Sequence, residues 1–185
     1  MSWISADEFL DAEELSETRH WYSEGVVTSI EGESVEHSVT TVNLSVALHT
    51  ALRGRGFEVV STIVMFWAGS KETYVYPDVM VIRRPVATKE GRPKIVTKPV
   101  FVAEVLSPWT ESDDRKVKSR EYEASPTIRQ YALLSQDRPR VEIHTRGEDG
   151  SWRMSEVVGL EADCVFSSLE CSVPMAALYE GVLED

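Results

Sequence analysis

The longest stretch of helical periodicity runs from Val35 to Arg53. Apolar residues recur there at positions 35, 39, 42 and 46 and again at 44, 48 and 52, and two glycines, Gly54 and Gly56, follow. An apolar stripe at this spacing predicts a helix with one buried face, which the glycines end.

Three further segments have helix signals. Ser5, followed three residues later by Glu8, has the capping-box pattern and predicts a short peripheral helix at about 5–14. Ser112–Ala124 carries a polar N-cap candidate at its start and is followed by a proline. The apolar spacing of Pro174–Leu183 indicates a closing helix.

Runs rich in β-branched and aromatic residues, bounded by Gly, Pro or charged residues, predict the strands. The segment Thr127–Ser135 is expected to hold a short helical turn and then a strand, Tyr131–Leu134. A hairpin is expected where two alternating segments, Val141–Arg146 and Trp152–Val158, flank a Gly-rich turn. The other predicted strands are Gly25–Ile30, Glu58–Ser61, Ile63–Trp67, Tyr74–Ile82 and Val100–Leu106.

Helices and strands are interspersed, and there is no internal repeat and no long linker, so the predicted class is α/β or α+β. The 185 residues suit one domain, 1–185, with residues 1–20 as its peripheral N-terminal part. No apolar run approaches the ~20 residues that span a bilayer. The N-terminus lacks the features of a secretory signal, which predicts a cytoplasmic protein with reduced Cys164 and Cys171.

Charge is distributed unevenly along the chain. The net charge of −12 argues against bulk attraction to nucleic acid. However, the acidic excess lies at the two ends, whereas the middle, 37–140, has more basic than acidic residues. The basic segment 83–120 is therefore a candidate for contacting DNA phosphates, with a solvated surface as the alternative.

Two acidic residues lie in apolar surroundings, where an isolated carboxylate meets a large desolvation cost. Asp78 opens the run Val79–Ile82, and Glu104 lies within Val100–Leu106. A raised pKa, a basic partner or a bound cation can compensate such a charge. Asp78 could instead cap a turn, and Glu104 could pair with Lys or Arg.

We interpret the two acids as ligands of a divalent cation. Glu36, at the start of the long helix, could add a third oxygen ligand, although acids are favoured at helix starts in any case. Lys118 could supply a positive charge near the same point. Three carboxylates and a lysine suit hydrolysis of a phosphodiester with one or two Mg²⁺ ions, or Mn²⁺ as a substitute.

The residues that carry this chemistry resemble the Uma2 family, also called domain of unknown function 820, over about residues 5–183. The resemblance implies a restriction-endonuclease-like fold of the PD-(D/E)XK nuclease superfamily, in which a mixed central β-sheet is flanked by helices. It also implies a Mg²⁺ site of Asp78 and Glu104, assisted by Glu36 and a lysine. The matching motifs are Glu36-His37, Pro77-Asp78-Val-Met-Val, Val102-Ala-Glu104-Val-Leu-Ser107-Pro108, Asp114-x3-Lys118-x3-Tyr122 and Ile128-Arg-Gln-Tyr131-Ala-Leu-Leu.

The chain departs from the superfamily pattern at one position. The lysine of that pattern lies two residues after the second acid, where this sequence has Leu106. Lys118 is the best substitute and Lys116 the runner-up. Residues two apart on a helix do not share a face, so only one of the two lysines can point inward. Asp114, Lys118 and Tyr122 do share a face, which could also be a solvent-side ion pair beside a packed ring.

Three functions are compatible with these residues. The first is a Mg²⁺-dependent DNA endonuclease, expected to act as a homodimer so that two sites address two strands. The second is a catalytically inactive nuclease-fold protein that works as a binding or regulatory module, because the usual lysine is displaced. The third is a metal-dependent hydrolase of nucleotides or other small phosphate esters.

Overall fold

A mixed six-stranded sheet, here called the central sheet, carries the predicted acids. The computed structural model describes residues 3–30, 32–61, 64–68, 72–108 and 111–183. In spatial order the central sheet consists of β12 (Trp152–Val158), β11 (Arg140–Arg146), β10 (Gln130–Ser135), β9 (Pro99–Leu106), β6 (Val79–Arg83) and β3 (Phe57–Ser61). Strands β9 and β10 run parallel, whereas their neighbours pair antiparallel.

A second six-stranded sheet packs against part of one face of the central sheet. Its spatial order is β2 (Val26–Ser29), β1 (His20–Ser23), β5 (Thr73–Val75), β4 (Met65–Trp67), β8 (Arg92–Val96) and β7 (Thr88–Lys89). A separate two-stranded ribbon is formed by β13 (Asp163–Phe166) and β14 (Cys171–Pro174).

The helices are few and mostly short. The first helix, α1 (Ala6–Leu15), has Ser5 as its N-cap. The Ser5 hydroxyl accepts from the Glu8 N–H, and the Glu8 carboxylate accepts from the Ser5 N–H, so the predicted capping box is confirmed. None of the described helices is long and apolar enough to cross a membrane. The helical elements are α1 (Ala6–Leu15), α2 (Val35–Leu52), α3 (Glu111–Asp113), a π-helical turn (Asp114–Lys118), α4 (Ser119–Ala124), a 3₁₀ turn (Ser167–Leu169) and α5 (Met175–Leu178).

Alternation along β9 divides the core into two layers. Phe101, Ala103 and Val105 face one side of the central sheet and pack with α2, α5 and the β13–β14 ribbon. Val102 and Leu106 face the other side and pack with Tyr122 of α4 and with apolar residues of the second sheet. Because side chains alternate along a strand, Glu104 belongs to this second face.

The structure confirms the mixed central sheet flanked by helices and corrects several predicted elements. Tyr74–Ile82 is not one strand: β5 belongs to the second sheet and β6 to the central sheet, and the chain crosses between them at Pro77, which has no N–H for a strand ladder. Residues 125–129 form no helical turn, and the closing helix is only the four residues of α5. The predicted Ile63–Trp67 begins outside the described residues and continues as β4.

Helix α2 supplies a direct test of this core. Leu48 is fully buried against the central sheet, whereas Val46 on the same helix is exposed. We expect Leu48→Ala to lower the free energy of unfolding by about 2–5 kcal/mol, because it removes buried methyl groups and leaves a cavity. Val46→Ala should change it by less than about 0.5 kcal/mol. Urea denaturation of both variants measures the difference, and equal effects would contradict the packing described here.

Candidate functional site

Asp78 lies at the point where the chain passes from the second sheet into the central sheet. Its carboxylate Oδ2 accepts the backbone N–H of Val105 in β9 at 2.7 Å, which fixes the start of β6 against the C-terminal end of β9. The backbone N–H of Asp78 in turn points to Glu104 Oε2 at 3.4 Å. These reciprocal contacts hold the two predicted acids side by side.

Glu104 is almost completely buried, with 1% of its surface exposed. The hydroxyl of Tyr122 donates a hydrogen bond to its Oε1, and the ammonium of Lys118 contacts the same oxygen. Burial raises the pKa of the Glu104 carboxyl, while the positive charge of Lys118 acts in the opposite direction. The carboxylate therefore depends on partners that offset its lost hydration.

A π-helical turn presents Lys118 to this carboxylate. The Lys118 Nζ lies 3.2 Å from Glu104 Oε1 and 2.8 Å from Asp114 Oδ1. Burial lowers the pKa of Lys118, but the adjacent carboxylates outweigh it and hold that pKa above its usual value. Lys116 is exposed on the opposite side of the helix. Of the two candidate lysines, the structure therefore brings Lys118 to the acids.

The position of Leu106 explains why the lysine comes from a helix. Leu106 and Glu104 lie on the same face of β9, so a side chain at 106 points toward the layer that contains Tyr122. Leu106 is buried in that apolar layer. Lys118 extends to Glu104 from the helix that packs on this face of the sheet. Its ammonium therefore lies beside the acid although position 106 is apolar.

Glu36 is not part of this cluster. It is exposed in the first turn of α2 and lines a different cavity, together with Asp137 and Arg138. The expectation that its carboxylate faces Asp78 and Glu104 is wrong in this structure. His37, one residue further along the helix, is the position that faces Asp78, and Glu33, which precedes the N-cap Ser34, contacts the His37 ring.

His37 is the site residue that the sequence analysis did not select. Its ring is buried between two carboxylates, with Nδ1 2.5 Å from Glu33 Oε2 and Nε2 3.2 Å from Asp78 Oδ2. Burial lowers the pKa of His37, but hydrogen bonds to Asp78 and Glu33 more than offset this and raise it to about 10. The sequence signal for His37 is its place in the Glu36-His37 motif, of which only the acid was predicted as a site residue.

These side chains line one cavity of about 280 Å³ between the two sheets. Glu33, His37 and Asp78 offer ligand atoms that all lie within 4.8 Å of one another, and Glu104 borders the same space. Carboxylate oxygens in a buried, net acidic cavity are the donors that hard divalent cations prefer. The residues present therefore fit a divalent cation.

A second ion pair fixes the helix that carries Lys118. Arg115 donates to both carboxylate oxygens of Glu142 on β11, at 2.7 and 2.9 Å. This bidentate pair lowers the pKa of Glu142, against the opposing effect of its partial burial. It ties the π-helical turn to the central sheet, three residues before Lys118.

The mixed central sheet with its buried Asp78, Glu104 and Lys118 is that of a restriction-endonuclease-like nuclease fold. A crystal structure from Anabaena variabilis, titled as that of "a putative nuclease belonging to DUF820", has the same fold, with a TM-score of 0.79, 16% sequence identity and coverage of 97% of this chain and 99% of that one. The chain belongs to the Uma2 family, whose model, described as "Putative restriction endonuclease", matches residues 6–174.

Two relatives from Synechocystis sp. resemble the chain in sequence. The "Uncharacterized protein sll1609" is 31% identical over 167 residues, which cover 90% of this chain and 94% of that protein. The "Uncharacterized protein slr1290" is 32% identical over 149 residues, which cover 80% and 77% of the two chains. The similarity therefore extends over nearly the whole length of the chain.

The Arg115–Glu142 pair makes stability depend on pH in a defined direction. Because the pKa of Glu142 is lowered on folding, the pair stabilises above the pKa of the unfolded carboxyl, and this stabilisation is lost as the pH falls through the lower pKa of the folded state. We expect Glu142→Gln to cost about 1 kcal/mol at pH 7, since Arg115 is partly exposed and screened. The cost should disappear in acid.

Denaturation of the wild type and Glu142→Gln between pH 7 and acid measures this difference. Glu156→Gln is the matched control, because Glu156 lies beside Glu142 on β12 but pairs with Arg140 at a more exposed position. A cost for Glu142→Gln that persists unchanged in acid would contradict the assignment.

Proposed function

We propose that this protein is an endonuclease that hydrolyses DNA phosphodiester bonds with the help of a divalent cation in the Asp78–Glu104 cavity. One observation carries the proposal: the Lys118 ammonium lies 3.2 Å from the Glu104 carboxylate, which itself lies beside Asp78. Two acids and a lysine thus lie together, although this sequence has Leu106 at the position where the nuclease pattern has its lysine. Membership of a family described as a restriction endonuclease supports the same reading.

Asp78 and Glu104 would hold the cation, for which their oxygen ligands favour Mg²⁺, with Mn²⁺ as a substitute. When bound, a divalent cation lowers the pKa of its water and neutralises charge that develops on the phosphate. The Val105 N–H keeps the Asp78 carboxylate in place, and the Tyr122 hydroxyl does the same for Glu104.

Lys118 is the basic group best placed to act on the phosphate. Its ammonium borders the cavity and is held by Asp114 on one side and Glu104 on the other. From this position it can donate to a phosphate oxygen or orient the attacking water, and a fixed positive charge in a buried site is worth more than one in water. The Arg115–Glu142 pair preserves the position of the helix during this step.

DNA is the proposed substrate, and the basic segment 83–120 divides into two parts in space. Arg83 lies at the other end of β6 from Asp78, about 16 Å away along the strand. Arg92 of the same segment is engaged by Asp11 and Glu14 of α1. Lys116 and Arg120, in contrast, are exposed on the helix that carries Lys118. We therefore assign the phosphate contacts nearest the cavity to this helix.

The inactive-module alternative depends on the displaced lysine. The contact of Lys118 with Glu104 supplies that charge from another element, which favours the catalytic function over a binding module. The open cavity at the junction of the two sheets also leaves room for a substrate group.

Cleavage of supercoiled plasmid with Mg²⁺ or Mn²⁺ tests the proposal. We expect Asp78→Asn and Glu104→Gln to reduce the rate at least about a hundredfold, because each removes an anionic ligand of the cation. Lys118→Gln should reduce it about a hundred- to a thousandfold, as expected for the loss of a fixed donor to the reacting phosphate.

Arg153→Gln is the matched control, since it removes an equal charge from an exposed position on β12, outside the helix that carries Lys118. It should retain cleavage within about threefold at low salt. Circular dichroism establishes that each variant is folded. Wild-type protein that cleaves no DNA, or cleavage that survives in folded Asp78→Asn and Glu104→Gln, would refute the proposal.

A further inference from the structure

The imidazole of His37 is buried between two carboxylates at the edge of the acidic cavity. Nδ1 lies 2.5 Å from Glu33 Oε2 and Nε2 lies 3.2 Å from Asp78 Oδ2, so each ring nitrogen has a carboxylate oxygen within ion-pair distance. A neutral imidazole has one ring proton, and a proton on Nδ1 leaves a lone pair on Nε2 directed at the Asp78 carboxylate. Either a second proton, which gives the imidazolium form, or a metal cation between these two atoms satisfies both of them.

We infer that His37 is a ligand of the divalent cation through Nε2, together with Asp78, and that Glu33 is a positioning residue that orients the ring through Nδ1. This inference rests on the proposed function only for the presence of the cation in the cavity. It adds a nitrogen ligand from α2 to the two strand carboxylates.

The distances fit this arrangement. Two ligand atoms in neighbouring positions around a six-coordinate ion, each about 2.1 Å from it, lie about 3.0 Å apart. The Nε2 of His37 and the Oδ2 of Asp78 are separated by 3.2 Å. Histidines that bind metals usually donate the other ring N–H to a carboxylate, which fixes the ring and its tautomer, and Glu33 occupies that position.

Comparison with His20 shows what an ordinary pair in this protein looks like. The Nδ1 of His20 contacts one carboxylate, that of Glu13, and about a quarter of the His20 side chain is exposed. His37 is 1% exposed, borders the acidic cavity and contacts carboxylates through both nitrogens. Lys118 also borders the cavity, but it is in direct contact with Glu104 and Asp114 and acts on Asp78 only through its charge.

A nitrogen ligand changes which cation the cavity prefers. Imidazole suits transition metals such as Zn²⁺, and Mn²⁺, although it also prefers oxygen ligands, accepts an imidazole nitrogen more readily than Mg²⁺ does. The wild-type protein should therefore bind Mn²⁺ more tightly than Mg²⁺ by a margin that depends on His37. A site made of carboxylates alone would have a smaller margin.

Pulsed electron paramagnetic resonance of the protein loaded with one equivalent of Mn²⁺ tests the inference without reference to activity. We expect the wild type to show coupling of the manganese to a nitrogen, with the frequency of that coupling changed in protein labelled with nitrogen-15 histidine. The coupling should be lost in His37→Asn and retained in His49→Asn, which changes an exposed histidine on the same helix. Isotope labelling needs no variant, so the test holds even if His37→Asn does not fold.

Calorimetric titration gives a second readout. His37→Asn should weaken Mn²⁺ binding about 10- to 100-fold and Mg²⁺ binding much less, and Glu33→Gln should weaken Mn²⁺ binding about tenfold while the nitrogen coupling remains. If His37 is only an imidazolium paired with Asp78, the wild type shows no nitrogen coupling and His37→Asn binds Mn²⁺ equally or more tightly, which overturns the inference.

The two proposals fail in different ways. Nitrogen-coupled Mn²⁺ in a protein that cleaves no DNA would support the His37 ligand and refute the endonuclease. Cleavage that depends on Asp78 and Glu104, in a protein whose bound Mn²⁺ has no nitrogen coupling, would do the reverse.

Discussion

The need to compensate the buried charge of Glu104 organises the region around it. A carboxylate in the apolar layer between β9 and the helix at 111–124 would be strongly destabilising alone. The Tyr122 hydroxyl, the Lys118 ammonium and the Asp78 N–H converge on its two oxygens. The first two come from the helix at 111–124 and the third from the start of β6, so one side chain near the C-terminal end of β9 fixes these elements relative to one another.

The π-helical turn at Asp114–Lys118 brings the Lys118 ammonium to the buried Glu104 carboxylate. Such turns are rare, and where they occur inside a helix they often mark functional sites. Here the turn places Asp114 and Lys118 within hydrogen-bonding distance of each other, and the Ser119 hydroxyl donates to the Asp114 carbonyl within the wider turn. The lysine that nuclease folds usually place on the strand is thus supplied by a locally widened helix, while β9 keeps its apolar Leu106.

The sequence predicted the parts of the site where a local anomaly stands out. Acids in apolar runs are conspicuous, and Asp78 and Glu104 were found for this reason. Helix α2 was predicted at nearly its full length, but its apolar residues lie on two faces, since Val42 and Val46 are exposed while Leu44 and Leu48 are buried. Its pattern therefore could not tell which side of the first turn faces the acids, and Glu36 was selected in place of His37. Strands β1, β7 and β8 of the second sheet were not predicted, because they are only two to five residues long, too short for alternation to identify them.

The crossing of the chain at Pro77 has a consequence for how the molecule can be divided. The carboxylate of Asp78 is hydrogen-bonded to Val105 in the central sheet, whereas β5, which ends three residues before Asp78, belongs to the second sheet. The second sheet is therefore not a separable addition to the central sheet. Removing it would leave the segment that leads into Asp78 without the strand pairing of β5, so a shortened protein that keeps only the central sheet would hold this carboxylate less firmly.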